Sequence, residues 1–249
     1  MADKILEGRV ALITGASRGI GRAVAKCFAE QGAHLILTAR TQGALEELDD
    51  ELRSEGFNAP TLVPCDITDF NTIDKIGAAI YERFQKLDIL VGNAGSLGTL
   101  SPISQIEPRE WQKVLDLNLT ANWRLIRSMD PLLKTSDAGR AVFVTSSVGH
   151  KPRSFWGSYA VSKAGLEMTA GIYAEECKKT NVKVNLINPG GTRTEMRAEA
   201  MPGENPETVK TPEAINHLFL ELASPACRLN GAMVEAEEEL NAGHTAYAL

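Results

Sequence analysis

A tyrosine and a lysine four residues apart, in Tyr159-Ala160-Val161-Ser162-Lys163, are the first pattern in the chain able to do acid–base chemistry. On a helix, residues at this spacing share a face, so the phenol and the ammonium would enter one site. A free tyrosine titrates near ~10 and is a poor acid or base at neutral pH, but a neighbouring cation favours the phenolate and draws it toward the working range. A second pattern could hold an anion. Thr14-Gly15-Ala16-Ser17-Arg18-Gly19-Ile20-Gly21 spaces three glycines as G-x-x-x-G-x-G between an apolar run and a helical one. Glycine permits the tight turn and lets a pyrophosphate approach the backbone, where free helical N–H groups and the helix dipole favour negative charge. Alone, each pattern is weak: shuffling produces the glycine spacing in about one chain of seven and Y-x-x-x-K in about one of five.

The elements around them supply context. Arg9 to Thr14 reads as a strand and Gly19 to Gln31 as a helix with Ile20, Ala23, Val24, Cys27 and Phe28 on one face. Ala33 to Ala39 is a second strand, followed by a charged helix near Leu45 to Glu55 and a third strand near Thr61 to Cys65. Asp69 suits the N-cap of a helix that turns Ile73, Ile76, Ile80 and Phe84 inward. Further strands are expected at Asp88 to Val91, Arg140 to Thr145, Val182 to Ile187 and Ala232 to Val234, the last preceded by a helix near Pro212 to Ala223. Alternating strands and helices predict an α/β fold: one doubly wound, Rossmann-type domain over residues 1–249, with about seven parallel strands and helices on both faces. Such sheets bind ligands beyond the carboxyl ends of their strands.

Composition narrows the function classes. The 249 residues include 26 basic and 32 acidic ones, a net charge of −6, which argues against a nucleic-acid or anionic-membrane surface. No apolar run nears the ~20 residues needed to span a bilayer, and the amino-terminal residues do not read as a secretory signal. Cys27, Cys65, Cys177 and Cys227 are far apart, fit neither a disulfide framework nor a zinc site, and point to a reducing, cytoplasmic compartment. No cluster suggests a catalytic metal.

The second strand should end beside the adenosine ribose of a dinucleotide. An acidic residue there bonds the 2′-hydroxyl of NAD, whereas an arginine pairs with the 2′-phosphate of NADP. The chain has Thr38-Ala39-Arg40-Thr41 at this place, with Arg18 in the glycine turn and no carboxylate, and NADP is the expectation.

Taken in order, these residues resemble the classical short-chain dehydrogenase/reductase (SDR) family from Gly8 to about Val234. The cofactor turn of that family, T-G-x-x-x-G-x-G, is Thr14 to Gly21, and its N-A-G element is Asn93-Ala94-Gly95. Asp66 matches the aspartate that meets adenine, and Asn118 in Leu117-Asn118-Leu119 matches the catalytic asparagine. Ser146, 13 residues before Tyr159, matches the catalytic serine, with Ser147 as its neighbouring competitor. Pro189-Gly190-Gly191-Thr192-Arg193-Thr194 matches P-G-x-x-x-T. The resemblance implies hydride exchange between a nicotinamide and a carbonyl or secondary alcohol. In it Tyr159 serves as acid/base, Ser146 holds the substrate oxygen, and Lys163 lowers the tyrosine pKa and bonds the nicotinamide ribose. Asn118 holds a relay water and Thr194 orients the carboxamide. Gly15, Ser17, Arg18, Gly19, Ile20, Gly21, Arg40, Asp66, Asn93, Ala94, Gly95, Tyr159, Lys163, Pro189, Gly190, Thr192 and Thr194 are thus the expected cofactor contacts, and a homodimer or homotetramer the expected assembly.

Two departures stand out. Gly92 replaces the first asparagine of the usual Asn-Asn-Ala-Gly, and Glu235-Ala236-Glu237-Glu238-Glu239 replaces Asp-Gly-Gly, making residues 235–249 a variant tail that puts the common tetramer in doubt. On the substrate side, His150, Lys151, Arg153 and Trp156 lie between the serine and the tyrosine, and a lid at about 192–211 adds Met196, Arg197 and Met201. The gathered cations suggest a small-molecule carbonyl or alcohol substrate with an anionic or polar part. Competing readings are a 3-oxoacyl-carrier-protein reductase, against which the acidic balance weighs, an epimerase or dehydratase of the extended branch, and a non-catalytic NADP(H)-binding redox sensor.

Overall fold

The computed structural model describes residues 4–236 and 245–248. The strands are β1 (Val10–Thr14), β2 (His34–Ala39), β3 (Thr61–Pro64), β4 (Ile89–Gly92), β5 (Arg140–Val144), β6 (Lys183–Asn188), β7 (Ala232–Glu235) and β8 (Thr245–Ala248). They form one sheet in the order β3-β2-β1-β4-β5-β6-β7-β8, parallel throughout except for β8, which pairs antiparallel with β7. The seven parallel strands match the sequence reading, and β8 is an addition to it: a run as short as Thr245–Ala248 has no periodicity that marks it as a strand.

The helices are α1 (Gly19–Glu30), α2 (Gln42–Ser54), α3 (Phe70–Phe84), α4 (Pro108–Leu115), α5 (Ala121–Thr135), α6 (Gly157–Glu176), α7 (Glu195–Ala200) and α8 (Asn216–Ala223). Alternation along β1 explains why they cover both faces. Ala11 and Ile13 join a core with Val24, Phe28, Leu45, Leu48 and Phe219, against α1, α2 and α8. Val10 and Leu12 point oppositely, into a core with Ile73, Ile76, Leu125, Met129 and Leu166, against α3, α5 and α6.

Some boundaries move. Helix α2 begins three residues before the expected start, because its opening Gln42-Gly43-Ala44 carries no apolar signal while Leu45, Leu48 and Leu52 are buried. The expected 212–223 helix is a 3-10 turn, Pro212–Ile215, running into α8. Asp69 is the N-cap residue of α3, but its carboxylate accepts the Thr72 hydroxyl at 2.9 Å instead of a backbone amide. Of the acidic run, Glu235 closes β7 and Ala236 follows it, whereas Glu237 to Glu239 lie outside the described residues.

The strand order reverses between β1 and β4, with β2 and β3 on one side and β5 to β8 on the other. A crevice must open there beyond the carboxyl ends, because the chain leaves neighbouring strands in opposite directions.

Candidate active site

The crevice is a cleft of about 1190 Å³ that runs from the glycine turn to Tyr159. At its start, Gly15 and Gly19 adopt φ of +67° and +54°, left-handed conformations that side-chain-bearing residues rarely take. Gly21 is required by proximity: a Cβ there would overlap the Gly15 carbonyl and lie 2.5 Å from the Asn93 amide nitrogen. Helix α1 starts without a side-chain cap or an acidic residue in its first turn, so its amino-terminal N–H groups remain free for an anion. A turn closed to side chains beside an uncapped helix start fits a pyrophosphate.

Asn93 holds this turn in place. Its side chain donates to the carbonyls of Thr14 (2.9 Å) and Gly15 (3.3 Å). The Thr14 hydroxyl accepts from the Asn93 and Ala94 amides at 3.0 and 3.1 Å, and donates to Val91 O at 3.2 Å. The ends of β1 and β4 are thereby knitted together, a reason for Asn at this place that the sequence did not display.

Arg40 follows β2 and lines the cleft together with Ser17, Arg18, Ile20 and Asp66. Burial works against ionisation of Asp66, but bonds from the Thr68 amide (2.9 Å) and hydroxyl (2.7 Å), with the Arg40 charge, hold it below the usual carboxylate range. Arg18 is ion-paired across the cleft with Glu195. Over the other wall, Pro189, Gly190, Thr192 and Thr194 follow β6, and the Thr194 side chain caps α7 by accepting from Arg197 N at 3.2 Å. Segment 192–211 leaves the sheet and returns on itself, tied by Arg193–Glu207 at 3.1 Å and by the bidentate Arg197–Glu204 pair.

At the far end, α6 brings Tyr159 and Lys163 into the cleft from one face, 8% and 4% exposed. Ser146, just past β5, lines the cleft with Tyr159, while Ser147 is exposed and does not line it, which favours the first serine of the pair. Burial pushes the Tyr159 phenol up to about 12, opposed by the Ser146 bond. Burial also pulls the Lys163 ammonium down to about 8, opposed by the charge of Glu167. Burial, and not the expected lowering by the lysine, therefore sets the direction for the tyrosine in this state. The Lys163 ammonium donates to Val144 O at 2.7 Å and lies 5.6 Å from the centre of the phenol ring, so burial outweighs its field.

Asn118 is wholly buried, in a single π-helical turn (Asp116–Thr120) between α4 and α5. Such widened turns recur at functional sites. Its side chain exchanges 2.9 Å bonds with the Ser96 amide and carbonyl, and donates to the Ser162 hydroxyl at 3.0 Å. It thus locks α6 to the loop after β4, which carries Gly95 past Lys163.

Of the four expected substrate residues, only Trp156 lines the cleft. Its place follows from Phe155, held at φ +75° and bonded through its carbonyl to Ser101 N at 3.0 Å. Lys151 and Arg153 are exposed, with Arg153 stacked on the Trp156 ring at 5.0 Å, and the His150 ring faces Glu167 and Glu235. His150 and Lys151 therefore do not line the substrate end, Arg153 borders it only over the Trp156 ring and Met201, and Arg197 lines the cleft paired with Glu204. An apolar group stands there instead: Leu97, Val148 and Tyr159, with Leu100, Trp156, Met196 and Ala200 packed around them. Leu97 was not separable from core residues by sequence pattern, whereas Met196 stands where the lid was expected to place it.

Among the described residues, no group of three or more His, Cys, Asp or Glu side chains is arranged to hold a metal ion, and no helix is long and apolar enough to cross a membrane.

Comparison with known proteins agrees with this architecture. The chain is 38% identical over 231 residues to the uncharacterized oxidoreductase YciK of Escherichia coli (strain K12), covering 92% of this chain and 91% of that protein. It is 34% identical over 191 residues, 77% of this chain and 76% of the relative, to the 3-oxoacyl-[acyl-carrier-protein] reductase FabG of Vibrio cholerae. A short chain dehydrogenase of E. coli CFT073, solved in complex with NADPH, superposes with a TM-score of 0.91 at 37% identity, over 95% of this chain and all of that one. The family model for short chain dehydrogenases matches residues 9–205, the span that carries the glycine turn, the serine, the tyrosine and the lysine. The chain belongs to the short-chain dehydrogenase family.

Proposed function

We propose that the protein is an NADP(H)-dependent oxidoreductase that interconverts a carbonyl and a secondary alcohol. The observation that carries this reading is the meeting of Ser146, Tyr159 and Lys163 on the same cleft as an uncapped helix start and a glycine turn closed to side chains. NADPH, when bound, supplies the hydride. Arg18 and Arg40 would face its 2′-phosphate, Asp66 the adenine, and Asn93-Ala94-Gly95 with Pro189, Gly190, Thr192 and Thr194 the nicotinamide half. The NADPH complex of the E. coli CFT073 relative supports this choice of cofactor.

Tyr159 delivers the proton to the substrate oxygen, and Ser146 donates to that oxygen and stabilises the charge that develops on it. Lys163 holds the ribose and favours loss of the phenolic proton. Asn118 fixes the turn at which a water would connect Lys163 to bulk solvent. The apolar wall of Leu97, Trp156, Met196 and Ala200 favours a small molecule with an apolar substituent on its carbonyl, in place of the anionic one suggested by sequence. Exposed Val161, Met168 and Ile172 share one face of α6, and Trp123 is exposed on α5, which supports a homodimer or homotetramer. The protein is proposed to work in the cytoplasm, with free cysteines.

The test is NADPH oxidation with a panel of ketones in matched apolar and carboxylated pairs. The expected result is turnover favouring the apolar members, reduced at least about 100-fold by Tyr159→Phe with NADPH affinity nearly unchanged. Turnover retained in Tyr159→Phe would overturn the assignment. Absence of turnover with every carbonyl would favour the redox-sensor reading, and a requirement for carrier-bound substrate the carrier-protein reductase.

A further inference from the structure

One buried carboxylate on α6 has no place in that mechanism. Glu167 lies one turn beyond Lys163 and is 9% exposed. A carboxylate at this depth persists only when paired and hydrogen-bonded. The Thr145 hydroxyl donates to its Oε1 at 2.6 Å, and His150 Nδ1 lies 3.2 Å from the same oxygen. On the other side of the imidazole, Nε2 lies 3.6 Å from Glu235 Oε1 at the end of β7. Asn188 donates to that Glu235 oxygen at 3.3 Å and accepts from Gly190 N at 3.2 Å. The turn after β5 is shaped around the carboxylate, since a Cβ at Gly149 would lie 2.5 Å from Glu167 Oε1. Of the three strand ends, β5 meets the buried group directly through Thr145, while β7 and β6 are linked to it in series through His150, Glu235 and Asn188.

We infer that Glu167 is a positioning residue for the reduction: its carboxylate ties the Thr145–Ser146 segment to α6 and supplies the counter-charge for the Lys163 ammonium. The inference rests on the roles proposed for Ser146, Tyr159 and Lys163. Residues four apart on a helix are neighbours, so the carboxylate is one turn from the ammonium in a region poor in water. Burial already draws Lys163 down to about 8, and Glu167 is the group that opposes it. Tyr159 on α6 and His150 on the turn after β5 are the other titratable groups facing the pair, with Glu235 behind the histidine. The π turn and β6 present neutral amides, Asn118 and Asn188, while Asp116 of that turn accepts from Gln112 at 2.7 Å. Helix α4, also packed on α6, carries Arg109, Glu110 and Lys113, the last two paired with each other at 3.2 Å. Arg140 and Lys183 stand at the opposite ends of their strands.

Two substitutions in the whole protein separate the two effects, read from the pH profile of kcat/KM for NADPH and from the plateau kcat. Glu167→Gln keeps an oxygen for Thr145 but loses the charge. Lys163 then deprotonates more readily, and the alkaline limb moves about one unit toward acid. Thr145→Val keeps the charge and releases the serine segment, so plateau kcat falls about tenfold while KM for NADPH and the limb stay in place. A limb that does not move in Glu167→Gln, or a wild-type kcat in Thr145→Val, overturns the inference. Should Glu167→Gln fail to fold by circular dichroism, Thr145→Val decides alone by the same criterion. Failure of the underlying mechanism is separately visible, as turnover that survives Tyr159→Phe.

Discussion

Gly21→Ala is the sharpest probe of the cofactor turn. A Cβ at this position would overlap the Gly15 carbonyl oxygen and sit 2.5 Å from the Asn93 amide nitrogen, where ordinary contacts begin near 3.4 Å. Neither neighbour can yield cheaply: Gly15 is backbone in a left-handed turn, and the Asn93 amide is bonded to Thr14 O at 2.9 Å and Gly15 O at 3.3 Å. The turn must therefore move by about 1 Å. Overpacking of this kind costs about 1–3 kcal/mol, and loss of the Asn93 bonds adds about 1 kcal/mol each. A total of about 3–5 kcal/mol corresponds to a Tm lower by about 6–20 °C for a chain of this size. Because the same backbone would receive the pyrophosphate, losing one charge-assisted bond raises the Kd for NADPH about tenfold or more. Thermal melting and NADPH fluorescence titration read the two effects. Gly43→Ala is the control: nothing lies within 4 Å of the added methyl, in the first turn of α2, and the change is neutral or stabilising by up to about 1 kcal/mol. A Gly21→Ala protein that melts with the wild type and binds NADPH equally well would refute the reasoning.

Two further outcomes are expected. Arg40→Ala should raise the Kd for NADPH about tenfold and leave NADH unchanged, since only the 2′-phosphate loses a partner; an unaltered NADPH/NADH ratio in paired titrations would remove Arg40 from that role. At the opposite end of the sheet, the wholly buried Asp88 accepts from Ser136 Oγ (2.5 Å), Val10 N (2.8 Å), Lys86 Nζ (3.0 Å) and Arg9 Nη1 (3.2 Å). Burial opposes its ionisation, but these bonds outweigh it and hold the carboxyl below its ordinary value. Its contribution to stability is thus present above the unfolded-state pKa near ~4 and is lost as pH falls through the lower folded-state value. Asp88→Asn should cost about 3 kcal/mol at pH 7 in denaturant unfolding and less below pH ~4; an equal cost at both pH values would contradict this.

Much of the site was legible because its residues answer to local constraints. The glycine turn must follow a strand and open a helix, and Tyr159 and Lys163 must be four apart to share a face of α6. Such requirements write themselves into spacing. Asn93 and Asn118 were legible only through the family resemblance. Their bonds to Thr14 and Gly15, and to Ser96 and Ser162, join segments between 22 and 79 residues apart, and no local pattern encodes such pairings. The placing of the loop residues before Trp156 was not legible for a related reason. His150, Lys151 and Arg153 are near Tyr159 in sequence, but the direction of a loop side chain is set by what packs around it. Here Phe155 turns Trp156 inward while Glu167 and Glu235 claim the histidine.

By itself, then, the sequence determined the parallel seven-strand core, the turn that can take a phosphate and the tyrosine–lysine pair, because period, glycine placement and helical spacing are properties of short stretches of chain. Tertiary structure alone decided the burial of that pair and the lining of the substrate end. Burial moves Tyr159 up to about 12 and Lys163 down to about 8, and depth in a folded molecule is a sum over neighbours from every part of it. The Glu167–His150–Glu235 contact is of the same kind, assembled from α6, the turn after β5 and the end of β7, which meet only when the sheet is complete.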